Sequence, residues 1–192
     1  LLSHLITTRQ LEIKIAPRES TLFAVESVKD CEDIGLVLKG TLLQGQLDQR
    51  DFFIGPLSHR SLFEPVRIES MQRLRLPVHQ VNGRLMAAVA VGNPSCAITR
   101  GMLLVSDPNI CTDQIKTMFA WTGAILISGI LMLEKEVNGM LHCGCARVSV
   151  RAKLLSPSSV MIEPVDEAPV FLCSGMKLVL VTNSFVLAGR YT

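Results

Sequence analysis

Thr117-Met118-Phe119-Ala120-Trp121-Thr122-Gly123-Ala124-Ile125-Leu126-Ile127-Ser128-Gly129-Ile130-Leu131-Met132-Leu133 holds no charge between Lys116 and the Glu134-Lys135-Glu136 triplet. An apolar helix needs roughly 18–20 residues to cross a bilayer, and this run falls just short of that. Gly123, Ser128 and Gly129 break it into Ala124–Ile127 and Ile130–Leu133, each of strand length. The stretch is therefore expected to form buried β-strand rather than a membrane helix, and no membrane partner is expected.

Working outward, turn-forming residues recur along almost the whole chain. Gly35, Gly40, Gly45, Gly55-Pro56, Pro65, Pro77, Asn82-Gly83, Gly92-Asn93-Pro94, Gly101, Asp107-Pro108, Asn138-Gly139, Gly144, Pro157, Pro164, Pro169, Gly175 and Gly189 leave room for strands and seldom for helices. Strand-type runs lie between them at Gly35–Gly40, Val66–Arg73, Leu85–Val91, Met102–Val105, Val160–Ile162 and Leu178–Thr182. Arg147–Leu154 alternates cleanly, with Val148, Val150, Ala152 and Leu154 on one face and Arg147, Ser149, Arg151 and Lys153 on the other. Short strands at regular spacing argue for barrels or sandwiches. Only Leu1–Thr8 reads as a helix end, and Ser106-Asp107-Pro108-Asn109 reads as a boundary.

Composition narrows the function without naming it. The 192 residues are 48% apolar and 19% charged, enough to bury a core and too apolar for long disordered tracts. A net charge of +2 does not mark a nucleic-acid binder, and 5% aromatics argues against base-stacking platforms. Six cysteines, Cys31, Cys96, Cys111, Cys143, Cys145 and Cys173, lie scattered in a chain that needs no disulfide framework, so they are expected to be reduced in a cytoplasmic or nuclear setting. Starting at Leu1 and closing on Gly189-Arg190-Tyr191-Thr192, the chain reads as a piece of a larger polypeptide.

Few side-chain groupings point to chemistry. His142-Cys143-Gly144-Cys145 lacks the four convergent ligands of a zinc site; on a strand, Cys143 and Cys145 would share one face as buried thiols, with His142 opposite. His4, His59 and His79 have no nucleophile partner, and Glu32-Asp33 precedes a glycine turn, so no catalytic residues are assigned. Met118, Met132, Met140, Met161 and Met176 are expected to fill core gaps. The span from His59 to Arg84 is more informative: Arg60, Arg67, Arg73, Arg75 and Arg84 face only Glu64 and Glu69. Arginine forks grip phosphate oxygens, so this span could hold RNA; a solvated barrel face is the alternative. Arg147, Arg151 and Lys153 read as ordinary outward charges.

Ile34-Gly35-Leu36-Val37-Leu38-Lys39-Gly40-Thr41 followed by Leu43-Gln44-Gly45-Gln46-Leu47 resembles the G-T-V-V-x-G-x-x-x-x-G-x-I run in the second domain of translational GTPases. Ser70–Val78, Gln80-Val81-Asn82-Gly83 and Arg100-Gly101-Met102 continue that pattern in order. Met140-Leu141-His142-Cys143-Gly144 is similar to an M-V-H-C-G strand, and Phe185–Gly189 to the closing strand of the third domain. The resemblance is to elongation-factor-like GTPases of the GTP-binding protein 1 and GTP-binding protein 2 type. It implies an all-β fold of two β-barrels, of elongation-factor domain II and domain III type. Residues 1–20 would then end a GTPase-domain helix and linker, 21–108 form the first barrel and 109–192 the second. The implied partners are tRNA or the ribosome and an upstream GTPase domain of the same polypeptide, in a cytoplasmic setting. The alternative is a protein-interaction module with no RNA contact.

In elongation factors that carry aminoacyl-tRNA, the aminoacylated end is gripped by a Glu-Met-[His/Phe]-Arg strand and a Gly-Asp-Asn-Val-Gly turn. Ser70-Met71-Gln72-Arg73 and Gly83-Arg84-Leu85-Met86-Ala87 stand at these positions. The resemblance thus implies RNA-binding roles for Ser70, Gln72, Arg73, Arg75 and Arg84. Arg73 and Gly83 keep the pattern, whereas Ser70 replaces the acidic residue, and Ala87 puts a methyl group where a ligand would approach backbone. The chain holds no G-x-x-x-x-G-K-[ST] loop and no Asn-Lys-x-Asp run. GTP and Mg would belong to the GTPase domain of the parent, and this chain alone is expected not to be an enzyme. A fluorescent GTP analogue titrated to micromolar concentrations is accordingly expected to show no binding and no turnover; saturable binding would contradict this.

Overall fold

A computed structural model describes residues 20–57, 63–131, 133, 135–165 and 169–192. The helix end expected at Leu1–Thr8, most of the expected 1–20 linker, and His59, Arg60 and Met132 lie outside the described residues. Among those described there is no α-helix, and the fold is all-β.

The first half contains β1 (Leu22–Cys31), β2 (Gly35–Gln44), β3 (Gln46–Asp48), β4 (Asp51–Gly55), β5 (Glu64–Arg73), β6 (Leu76–Pro77), β7 (Gln80–Asn82), β8 (Met86–Val91) and β9 (Leu103–Val105). The sheet runs β4-β9-β1-β2-β8-β5-β6, and β4 also pairs with β5. That last pairing closes the strands into a ring, so the barrel has no open edge of the kind that invites other chains. Phe23, Val25, Leu38, Leu42, Phe52, Ile54, Ile68, Met71 and Val89 fill its interior. Gly40 is required there, because a Cβ would lie 2.0 Å from the Ala24 carbonyl oxygen.

A 3-10 turn over Pro108–Gln114 follows, opened by Asp107, whose carboxylate accepts from the Asn109 backbone N–H at 2.9 Å. Beyond it lie β10 (Ile115–Lys116), β11 (Phe119–Thr122), β12 (Ile125–Gly129), β13 (Glu136–Cys143), β14 (Ala146–Ser156), β15 (Ser159–Pro164), β16 (Val170–Phe171), β17 (Lys177–Thr182) and β18 (Phe185–Arg190). The second large sheet runs β11-β15-β14-β13-β17-β18-β12, so its two edges are consecutive pieces of one segment bent at Gly123, which has φ +75°. This segment curls the sheet back on itself, and the Trp121 indole N–H, donating to the Arg190 carbonyl at 3.1 Å, ties edge strand β11 to β18, the neighbour of the other edge strand. On β14, Val150, Ala152 and Leu154 are buried and Arg147, Ser149, Arg151 and Lys153 are exposed, as their alternation requires.

Three expectations are corrected. Thr117–Leu133 does contain strands, but β12 is exposed along its whole length, with Ile125 65% and Ile127 62% accessible, and Ile130 just beyond it is 72% accessible; this edge strand has no second layer over it. Cys143 and Cys145 do not share a strand face: Gly144-Cys145 is the two-residue turn between β13 and β14, with Gly144 at φ +55°. Burial and the neighbouring Cys145 push the Cys143 thiol up to about 12, so it stays neutral in the core. Met118 and Met140 are exposed and Met161 is half-buried, so of the described methionines expected in the core, Met176 packs against core clusters; Met71, not singled out by sequence, is buried.

Between the barrels, Ala24, Leu103, Val105 and Phe171 form a shared apolar cluster flanked by Phe53, Ile115, Cys145 and Met176. The Arg100 guanidinium Nε–H donates to the Cys145 carbonyl at 2.6 Å. Gly101 has φ +95°, and a Cβ there would lie 2.4 Å from Ala146 Cβ and 2.7 Å from its Cα. Gly101→Ala is therefore expected to destabilise the chain by roughly 1–3 kcal/mol in chemical denaturation, by overpacking the seam between the barrels and straining the left-handed backbone.

Candidate functional site

Strand β5 decides where the candidate side chains point. Val66 and Ile68 face the core, and strict alternation would bury Ser70 next. A register shift between Ile68 and Ser70 against β8 inserts one residue, so Met71 turns inward and Ser70 and Gln72 turn outward. The Glu69 carbonyl at this bulge accepts from the Gln49 side-chain amide at 2.8 Å.

The outward residues of four strands then line up across the sheet. In one row Lys29 of β1 opposes Val37 of β2, which opposes Ala90 of β8, which opposes Ser70 of β5. In the next, Ser27, Lys39, Ala88 and Gln72 follow in the same strand order. The two alanines form a low floor between an ammonium wall and a hydroxyl–amide wall. The result is a cleft of about 200 Å³ lined also by Cys31 and Ile34. Its polar groups offer donors to phosphate or carbonyl oxygens from both sides.

Past Gln72, β5 ends in a hairpin that carries Arg73 and Arg75, both exposed. Gln72 opposes Ala88, so this hairpin lies at the end of the sheet where β8 begins, and exposed Arg84 sits in the turn that enters β8. The structure thus brings Ser70 and Gln72 into one cleft, with Arg73, Arg75 and Arg84 gathered at the end of the same two strands. Lys29, Lys39, Ala88 and Ala90 complete the cleft and were not among the sequence candidates. Ala87 is buried against the core and does not face this surface. Arg67 pairs with Asp51 at 3.6 Å, both largely exposed, and Arg151 with Glu163 at 2.9 Å, so these arginines belong to solvated faces.

A larger cleft of about 610 Å³ separates the barrels and holds Glu64, Arg100, Arg147 and Cys96, none of them among the five candidates. Among the described residues no group of three or more His, Cys, Asp or Glu could hold a metal ion, and no helix is long and apolar enough to cross a membrane.

No protein-family model matches the chain. Over 164 residues, 80% of the chain, it is 23% identical to GTP-binding protein 1 of Xenopus laevis and spans 24% of that protein. The structure of bacterial selenocysteine-specific elongation factor EF-Sec matches with a TM-score of 0.64 and 14% identity, over 90% of this chain and 28% of that one. The chain therefore spans about a quarter of the length of each. Its fold is of the kind seen in that elongation factor, and its sequence is similar to part of GTP-binding protein 1.

Ala88 lies on the outer face, half-buried, with its methyl forming cleft floor rather than core. Ala88→Leu is expected to close the cleft while changing unfolding free energy by less than about 0.5 kcal/mol in urea titration, the range of a surface substitution.

Proposed function

We propose that this chain is the barrel pair of an elongation-factor-like GTP-binding protein, acting in the cytoplasm. The outer face of its first barrel contacts tRNA or ribosomal RNA, and the pair couples that contact to a GTPase domain elsewhere in the polypeptide. The observation that carries the reading is the cross-strand cleft, in which Ser70 and Gln72 face Lys29 and Lys39 over an alanine floor, with Arg73, Arg75 and Arg84 at its end. Ammonium and guanidinium groups hold phosphate oxygens, while the hydroxyl and amide can meet sugar or base edges. GTP and Mg belong to the GTPase domain in this reading, and the barrels carry no catalytic residue.

The same substitutions define what the cleft lacks. With Ser70 at the position of the family's acidic residue, no carboxylate faces an incoming ribose. RNA contact is then largely electrostatic and does not depend on an attached amino acid. The packed seam between barrels, from Arg100 and Gly101 to Cys145 and Ala146, supports a role in transmission, because a push on one barrel reaches the other through rigid packing.

A second reading, a protein-interaction module without RNA contact, is favoured by one observation: the exposed apolar edge strand β12. Salt separates the two, because phosphate contacts release counterions and weaken steeply as salt rises. Aminoacylated and deacylated tRNA are expected to bind about equally, with affinity falling between low and physiological salt. Arg73→Glu should weaken both by roughly 1–3 kcal/mol, and Ala88→Leu should weaken them by occlusion. Salt-independent binding, or an Arg73→Glu variant equal to wild type, would move the assignment to the protein-interaction reading.

A further inference from the structure

The hairpin between β5 and β6 turns on Leu74 and Arg75, with φ angles of 51° and 68°. Among the described residues these are the non-glycine positions with positive φ. Two successive left-handed residues make the type I′ pattern, whose favoured sequence is Asn-Gly. A leucine there gives up free energy that a common turn residue would keep, and such strain collects where a side chain has a task outside the fold. Leu74 is 84% exposed, Leu76 66% and Met86 64%, so the turn holds an apolar tip away from both cores. From Ser70 to Ser106 there is no Asp or Glu, while Arg73, Arg75, Arg84 and Arg100 fall within that span. Among the described residues, none of Arg73, Arg75 and Arg84 is held in an ion pair.

An exposed leucine between two arginines, in a span of the chain without carboxylates, fits a ligand that presents phosphates around a flat apolar face. An unpaired RNA base is such a ligand: nucleic-acid-binding proteins insert aliphatic side chains at unstacked steps, and single-stranded RNA exposes its base faces where A-form grooves do not. We propose that the Arg73–Leu76 hairpin is an RNA wedge, in which Leu74 packs on an unpaired base and Arg73 and Arg75 grip the phosphates on either side. The proposal rests on the RNA reading above and adds to it the structural element recognised, an unpaired nucleotide next to a helix.

The test uses the full chain and two RNA hairpins with the same stem, one blunt and one with four unpaired 3′ nucleotides, followed by fluorescence anisotropy at two salt concentrations. Wild type should prefer the tailed RNA. Leu74→Asn suits the left-handed turn, so its melting temperature should not fall, yet it should lose roughly tenfold or more in affinity for the tailed RNA. Its affinity for the blunt RNA and its salt slope should stay unchanged. Leu74→Gly, which tolerates the same φ, should lose the tailed preference equally and guards against a folding artefact. Arg75→Gln should lower the salt slope by about one on both RNAs. Equal affinity of wild type and both Leu74 variants for the tailed RNA overturns the wedge while the RNA reading stands. Failure of wild type to bind either RNA overturns both readings. Leu74-dependent binding to phosphatidylserine vesicles without RNA binding assigns the tip to a lipid surface and overturns the wedge as well.

Discussion

One inserted residue in β5 determines what the first barrel can present to solvent. Without the register shift between Ile68 and Ser70, alternation would carry Ser70 and Gln72 into the core and turn Met71 out to water. A buried serine and glutamine without partners would each cost on the order of 1–3 kcal/mol, and the core would lose a fully buried methionine. With the bulge, one strand serves both tasks: Val66, Ile68 and Met71 pack inward while Ser70 and Gln72 form the wall of the cleft. Barrel closure holds this phase in place, because β5 is pinned by β4 on one side and β8 on the other.

Close packing between the barrels is the second constraint. Gly101 and Ala146 approach so nearly that neither tolerates a larger neighbour, and the Arg100–Cys145 hydrogen bond fixes the same contact. Burial raises the Cys145 thiol's pKa, with Glu26 adding to that and Arg100 opposing it, so groups from β1, from the approach to β9 and from the β13–β14 turn share one environment. The close Gly101–Ala146 contact and the packed apolar cluster beside it leave the seam little room to slide without overlap.

What the sequence revealed follows from how local each signal is. The alternation of Arg147–Leu154 and the break at Gly123 depend on neighbouring residues alone, and both are realised; the break expected at Ser128-Gly129 is not, because Gly129 pairs within β12 and residues 130, 131 and 133 form no strand. The exposure of β12 depends on whether a second layer lies over it, which its own apolar sequence cannot reveal. Lys29 and Lys39 join Ser70 and Gln72 only through the pairing of β1, β2, β8 and β5, which includes contacts as distant in sequence as Val37 with Ala90. Gly144 was legible as a turn former, but which side of the turn Cys145 falls on depends on the Cys143–Ala146 pairing, so its separation from Cys143 was not. Arg73, Arg75 and Arg84 were legible as a charge cluster, since a shortage of carboxylates over a long span needs no structure to be seen.

The β5–β6 hairpin shows the opposite relation between local preference and fold. Leu74 and Arg75 occupy backbone angles that neither favours, at a cost of about 1–2 kcal/mol for each. Neighbouring pairs compensate: Gln72 with Pro77 and Arg73 with Leu76 hold the ladder closed, and the Val78 N–H donates to the Met71 carbonyl at 3.0 Å behind it. The turn is therefore stabilised from its base, which leaves the tip residues free of any packing requirement. A leucine held at such a tip, 84% exposed, gains nothing from the fold, and its contribution has to come from what the tip touches.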